Sequence, residues 1–375
     1  MSSSHPLRVT WIGLRGFPGV QGGVETHAEQ LCPMLQALGC EVRVLARRGY
    51  QPESVGSFWR GVKFVSLWAP RRKNLEAVVH TFLSILYASV IERPDVLHIQ
   101  AIGPALWTMW ARMLGLRVVV THHGPDYDRE KWGRFARLML RAGEASAARF
   151  SNEVIVISGV IERALAAKYG VTSVRIPNGL TLQPPVDGSS VLQQFGLIKG
   201  RYVLLVSRLV REKRHLDLIE AFRRAALSDW KLVIVGAADH ADTYAQEVVS
   251  VAARTEGVVT TGFQSGAALH GLYANAGLFV LPSSHEGLPI AILEALSFGV
   301  RVVASDIPAN LEIGLPAEGY FPLGDVDALA GRLTDEAAIE ESVADRAARS
   351  KWAAEKFSWE RSALATLDVY RRVAA

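Results

Sequence analysis

Short runs of β-branched and apolar residues recur along the chain, each followed by a stretch whose apolar positions fall at helical spacing. In the first half the runs are LRVTWIG, CEVRVLAR, VKFVSL, DVLHIQ, RVVVTHHG and EVIVIS; in the second they are YVLLVSRL, WKLVIVG, GVVTTGF, GLFVLPSS and RVVASD. Strand then helix, repeated, is the rhythm of parallel, doubly wound α/β sheets. The rhythm stops and restarts across RIPNGLTLQPPVDGSS, residues 175–190, which is rich in Pro, Gly, Asn and Asp and lacks periodicity. A boundary between two domains is therefore expected near residue 182.

Length and composition agree with that division. A chain of 375 residues suits about two domains of ~150 residues, and 49% hydrophobic residues supply two buried cores. No apolar run approaches the ~18 residues that span a bilayer, and MSSSHPLRVTWIG lacks the layout of a secretory signal, so a cytoplasmic protein is expected. Cys32 and Cys40 have neither CxxC spacing nor a histidine cluster nearby and are expected to be buried thiols. The formal charge of +4 conceals an asymmetry: residues 1–180 carry 22 Lys and Arg against 13 Asp and Glu, the remainder 19 against 24. The basic half shows no zinc-finger spacing, aromatic-basic ribonucleoprotein motif or long Lys/Arg block, so nucleic acid is not an expected partner. A membrane surface or a phosphorylated acceptor accounts for its charge.

In an open α/β sheet ligands bind beyond the carboxyl ends of the strands, and the loops there concentrate charge and glycine. HEGLPIAILEA, from His285 to Ala295, reads as a loop opening a helix, with Pro289 in the first turn and Gly299 as the stop. Glu286 then sits in the loop and Glu294 roughly 9 Å further along the axis at ~1.5 Å per residue. Two carboxylates so placed suit the two ends of one elongated ligand. The apolar neighbours Ile292, Leu293 and Leu296 leave Glu294 needing a partner. Gly22 and Gly23 precede a helix, where backbone N–H groups can meet phosphate, although a tight turn explains such a pair equally well. Arg208 and Lys213 follow the first strand of the second half and suit a diphosphate, the plainer alternative being a solvated face with Glu212. His122 and His123 end a strand before Gly124 and Asp126. No GxGxxG fingerprint or zinc-binding helix occurs, and no DxD-type carboxylate motif lies beside the phosphate loops, so neither a metal nor another cofactor is expected.

Taken together, these stretches resemble glycosyltransferase family 4, retaining enzymes of the GT-B fold. The resemblance runs through GGVE at Gly22 to Glu25, HGPDYDREKWG from His123, PNG at Pro177 to Gly179, SRLVREK from Ser207 to Lys213, TGF at Thr261 to Phe263, and EGLPIAILE from Glu286 to Glu294. It implies two Rossmann-like doubly wound domains facing a central cleft, with the acceptor on residues 1–181 and the nucleotide-sugar on 182–357. The final FSWERSALATLDVYRRV, residues 357–373, fits the helix, expected over 358–375, that packs back on the first domain in such enzymes. The N-terminal stretch also resembles a bacterial subgroup that attaches rhamnose, mannose or related sugars to polysaccharide precursors.

The resemblance carries roles with it. Glu294 would accept hydrogen bonds from the ribose and Glu286 would hold the transferred sugar, with Gly287, Leu288, Pro289 and Ile290 along sugar and diphosphate. Arg208 and Lys213 would meet the departing diphosphate without a metal, and His123 would orient the sugar. Gly22, Gly23, Asn178, Gly262 and Phe263 are further donor-binding candidates. The implied reaction moves a hexose or deoxyhexose, with retention, from a nucleotide-sugar to a glycan or a polyprenyl-diphosphate-linked acceptor in cell-envelope biosynthesis. A GT-B epimerase, a phosphorylase and a catalytically silent nucleotide-sugar-binding scaffold are the alternatives. Ser207 and Arg214 stand where the family usually has glycine, and His285 also departs from its pattern; these bear on donor identity. Arg71, Arg72 and Lys73, and Lys131, Arg134, Arg137 and Arg141 interleaved with Trp132, Phe135, Leu138 and Met139, form basic-amphipathic stretches suited either to a peripheral membrane contact or to an ordinary surface helix.

Overall fold

The apolar runs pair as two separate sheets in a computed structural model that describes residues 5–70, 75–128, 133–184, 186–238 and 242–375. Arg71, Arg72, Lys73, Lys131 and Trp132 of the basic stretches lie outside the described residues. The chain divides into two units, Met1–Asn178 with Trp359–Ala375, and Gly179–Ser358.

The first unit contains β1 (Leu7–Ile12), β2 (Cys40–Arg47), β3 (Phe58–Trp59), β4 (Val62–Leu67), β5 (Val96–Gln100), β6 (Val118–His122), β7 (Glu153–Val156) and β8 (Val174–Arg175). Their order across the sheet is β3-β4-β2-β1-β5-β6-β7-β8, parallel except for the β3–β4 hairpin. Alternate residues of each strand enter different cores, as the two-residue repeat of a strand demands. Val9, Trp11, Val42, Val44 and Val119 pack on one face, together with Leu31 and Leu35 of helix Gly23–Ala37 and Trp359, Leu367 and Tyr370 of helix Trp359–Ala374. Ile12, Leu45, Leu97, Ile99, Val118 and Val120 pack on the other, against helices Glu76–Tyr87, Thr108–Met113 and Arg134–Phe150. Burial on both faces explains why the central strands read as continuous apolar runs.

The second unit is a six-stranded sheet, β11-β10-β9-β12-β13-β14, parallel throughout. Its strands are β9 (Tyr202–Val206), β10 (Lys231–Val235), β11 (Val258–Gly262), β12 (Leu278–Leu281), β13 (Val302–Ser305) and β14 (Tyr320–Phe321). The chain starts at β9, builds outward through β10 and β11, then returns to the other side of β9 as β12. The β9/β12 boundary is thus a topological switch point, where the loops leaving neighbouring strands diverge and open a crevice. In the first unit β1 lies between β2 and β5 in the same way.

Candidate functional site

Two loops leave the switch point of the second unit, Ser207 to Arg214 after β9 and Pro282 to Pro289 after β12. They are tied together by the backbone: Ser284 N–H donates to the Glu212 carbonyl at 2.8 Å. The β9 loop is also fixed to β10, through Ser207 N–H to the Val235 carbonyl at 3.0 Å and Leu209 N–H to the Ala237 carbonyl at 3.2 Å. This framework brings the Lys213 ammonium to 2.5 Å from Glu286 Oε1, with both side chains largely shielded. Two residues singled out for opposite ends of one reaction, leaving group and sugar, therefore meet as an ion pair. Arg208 is carried by the same loop, half-buried.

Arg214 holds φ at 51°, the left-handed region, as the residue before helix His215–Ala225. That conformation explains a glycine preference at this position; here a bonded arginine side chain compensates, its Nε donating to Asp217 Oδ2 at 2.6 Å. The Ser207 hydroxyl lies 2.9 Å from His215 Nε2, so neither departure from glycine leaves an idle side chain. Burial, with the Lys213 charge adding to it, depresses His215 to about 3, which keeps the ring neutral beneath the loop.

Pro289 is not inside the first helical turn as its spacing suggests. Its ψ of 105° places it outside, as the cap of helix Ile290–Ser297, where its carbonyl accepts from Ile292 N–H at 3.2 Å. Glu294 is therefore the fifth helical residue. Its partner comes from another helix: the hydroxyl of buried Tyr273, on Gly266–Asn275, donates to Glu294 Oε2 at 3.0 Å. Burial and the adjacent Glu294 charge push the Tyr273 phenol well above its ordinary value, so it remains a donor. Leu288 and Pro289 are buried beneath the loop, while Gly287 and Ile290 are partly open. Gly262 and Phe263 lie apart from this pair of loops, exposed at the end of edge strand β11, with Gly262 at φ 70°.

His123, Gly22, Gly23 and Asn178 belong to the first unit. His123 Nε2 lies 2.8 Å from Gln100 Oε1, which closes β5 beside it; with the carbonyl accepting, the proton is on Nε2 and Nδ1 keeps its lone pair. The His27 ring stands edge-on to His123 at 4.8 Å, and Asn178 Oδ1 lies 2.9 Å from His27 Nδ1. Burial, with the neighbouring His27, His98 and His122 rings adding to it, pushes His123 well below its usual range, so it is a neutral group at pH 7. Burial likewise depresses His27 to about 4 against the bond to Asn178. Gly22, at φ 151°, precedes helix Gly23–Ala37, and a Cβ on it would fall 2.1 Å from Glu25 Oε2 and 2.7 Å from an Arg15 nitrogen. The Arg15–Glu25 ion pair, Nε to Oε1 at 3.1 Å, thus accounts for that glycine locally, whereas Gly23 has open space around it.

Glu144 anchors the His123 loop from below. Buried on helix Arg134–Phe150, it accepts from Tyr127 at 3.0 Å and Tyr169 at 2.8 Å, pairs with Lys168, and lies 3.1 Å from His122 Nε2. Burial alone would raise its carboxyl, but the bonds from His122, Lys168 and Tyr169 bring it down to about 2. Gln100, His27, Glu144 and Tyr273 were not candidates from sequence. Gln100 ends DVLHIQ and His27 follows GGVE by one residue, so proximity to a strand end or motif could have pointed to both. Tyr273 and Glu144 sit mid-helix with no local signal.

Among the described residues, no group of three or more His, Cys, Asp or Glu side chains is gathered as for a metal, and no helix is long and apolar enough to cross a membrane.

Comparison with known proteins matches residues 21–183 to the sequence model described as Glycosyltransferase Family 4 and residues 193–352 to that described as Glycosyl transferases group 1. The O-antigen chain mannosyltransferase B of Escherichia coli is 27% identical over 56% of this chain and 55% of its own, so the match spans about half that relative's length. The α-maltose-1-phosphate synthase of Mycobacterium tuberculosis is 27% identical over 98% of this chain and 100% of its own. Anabaena HepE, solved with UDP-glucose, superposes with a TM-score of 0.78 over 98% of this chain and 100% of its own, at 18% identity. The switch-point loops, the two parallel-sheet units and these matches together make the chain a glycosyltransferase of the GT-B fold and a member of glycosyltransferase family 4.

Proposed function

We propose that the chain transfers a hexose or deoxyhexose, with retention and without a metal ion, from a nucleotide-sugar to a glycan or lipid-linked acceptor of bacterial envelope polysaccharide synthesis. The observation that carries this reading is the joining of Lys213 and Glu286 at the β9/β12 switch point, with Glu294 on the helix that opens from the same loop. The solved complex of HepE with UDP-glucose and the mannosyltransferase relative support a nucleotide-sugar donor and a glycan acceptor.

Breaking the anomeric C–O bond leaves positive charge on the sugar and an extra negative charge on the nucleoside diphosphate. In the proposed mechanism Arg208 and Lys213 stabilise the diphosphate, preorganised in a loop already fixed to β10 and β12. Glu286 holds sugar hydroxyls and Glu294 the ribose; the Gly287 to Ile290 segment and the positive end of its helix lie along the donor, with Gly262 and Phe263 beyond. Same-face attack follows, the leaving phosphate taking the acceptor's proton. His123, neutral and with its Nε2 committed to Gln100, orients rather than abstracts. Gly22, Gly23 and Asn178 serve that side of the reaction. The first unit takes the acceptor, and the protein works on the cytoplasmic side of the membrane as a peripheral protein.

The test is incubation with a panel of labelled nucleotide-sugars without acceptor, in the presence and absence of EDTA. Slow hydrolysis of one donor, unchanged by EDTA, is the expected result and identifies the nucleotide. Binding of a donor with hydrolysis of none would mean a silent scaffold. Loss of activity in EDTA, restored by magnesium or manganese, would overturn the metal-free account.

A further inference from the structure

On the first unit, helices Thr108–Met113 and Arg134–Phe150 pack against each other and leave an apolar surface uncovered. Trp110 is 51% exposed, Met113 66%, Phe135 75% and Leu138 64%. Side chains of this size so open to water cluster at binding surfaces. The exposed charge on these two helices has one sign. Arg112, Arg134, Arg137 and Arg141 are all exposed on the same two helices. No Asp or Glu occurs from Pro104 to Arg117, and the lone acid of the second helix, Glu144, is buried under the His122 loop. Asp126 and Asp128, in the turn that packs on that helix, reduce this charge without cancelling it. Along Arg134–Phe150 the exposed positions Arg134, Leu138 and Arg141 recur every three to four residues, so apolar and cationic groups share one face.

We propose that this face docks on an anionic lipid bilayer, Trp110, Met113, Phe135 and Leu138 entering the headgroup boundary while the four arginines meet lipid phosphates. The proposal deepens, and rests on, the reading that the enzyme serves a lipid-linked acceptor at a membrane surface. Charge selects the occupant. A second copy placed on the same face by two-fold symmetry would set arginines against arginines, whereas an anionic bilayer neutralises them and accepts the apolar side chains.

The test is cosedimentation of the full chain with vesicles of equimolar phosphatidylglycerol and phosphatidylcholine, and with pure phosphatidylcholine, at low and high salt. Two double variants are compared, Phe135→Ser with Leu138→Ser, and Arg134→Gln with Arg137→Gln; all four positions are exposed, so folding is preserved. The expected result is binding to the mixed vesicles, weakened about tenfold or more on the neutral lipid, by high salt, and by either variant. Equal binding to both lipids, no binding to either, or wild-type binding by both variants would overturn the proposal. So would a lipid-free dimer that the apolar variant dissociates, since a second copy would then occupy the face. Donor hydrolysis in solution is measured alongside. If hydrolysis persists while vesicles are ignored, only the docking face is wrong; if hydrolysis is absent in the wild type, the transfer reading fails whatever the vesicles show.

Discussion

Lys213 and Glu286 neutralise each other before any donor arrives, and this gives the two glutamates of the motif different signatures. With Lys213 on the diphosphate and Glu286 on the sugar as proposed, Glu286→Gln frees Lys213 for a phosphate, so binding of the bare nucleoside diphosphate is expected to hold or tighten while transfer falls, because contacts near the reacting ring strengthen as charge develops. With Glu294 on the ribose as proposed, Glu294→Gln removes a charged acceptor and should weaken both nucleoside diphosphate and donor by ~1.5–3 kcal/mol, roughly ten- to a hundredfold, with a modest fall in kcat. Calorimetry with the nucleoside diphosphate and initial rates with the donor separate the two; equal loss of nucleotide binding in both variants would reverse the assignment. The motif itself was legible because its carboxylates and its proline are local in sequence. Tyr273, which fixes Glu294, was not, since a tyrosine mid-helix reads as core until the fold brings another helix against it.

Among elements, the packing of helix Arg134–Phe150 on the 102–106 backbone depends on one missing methyl group. A Cβ on Gly143 would lie 2.0 Å from the Ile102 carbonyl oxygen. Gly143→Ala should therefore destabilise the protein despite the up to ~1 kcal/mol that alanine brings to a helix, because overpacking against backbone costs ~1–3 kcal/mol. Gly331→Ala is the control: in helix Val326–Ala337 its Cβ would meet nothing within 4 Å, and the change should be neutral or stabilising. Thermal melts of the two variants decide it, and matching shifts would sink the argument. The long apolar strands were readable from pattern alone, whereas β3, β8 and β14, of two residues each, carry too few positions to show a period. β3 turns into β4 through Arg60 at φ 45° and Gly61 at φ 85°, a left-handed pair suited to a tight hairpin that an arginine conceals.

Over the whole molecule, buried neutral histidines set the acid limb of stability. Burial depresses His27 and His80 to about 4 and His215 to about 3, from an ordinary 6.5. Below pH 6.5 the unfolded chain takes up protons that the folded protein refuses, so their contribution is full above 6.5 and is lost as pH falls toward 4 and 3. Glu144, brought down to about 2 from 4.5, adds a second stage between those values. Melting temperature should thus decline from pH 6.5 downward, each histidine costing on the order of 2–3 kcal/mol by pH 4. Calorimetry across pH 7 to 4 checks this; a flat profile to pH 5 would mean the histidines ionise in the folded state.

Trp359 and Tyr370 fill the core of the first unit, with the Tyr370 hydroxyl 2.6 Å from His98 Nδ1 and the Ser362 hydroxyl donating to the Pro177 carbonyl at 2.7 Å. The whole of Gly179–Ser358 is translated between the two parts of that core. At about 5–20 residues per second this takes roughly 10–40 s, during which Trp11, Leu31 and Leu35 wait on the nascent chain for partners not yet made. The unit begun first on the ribosome is accordingly finished last, and the unit encoded in the middle, continuous in sequence, is free to fold ahead of it.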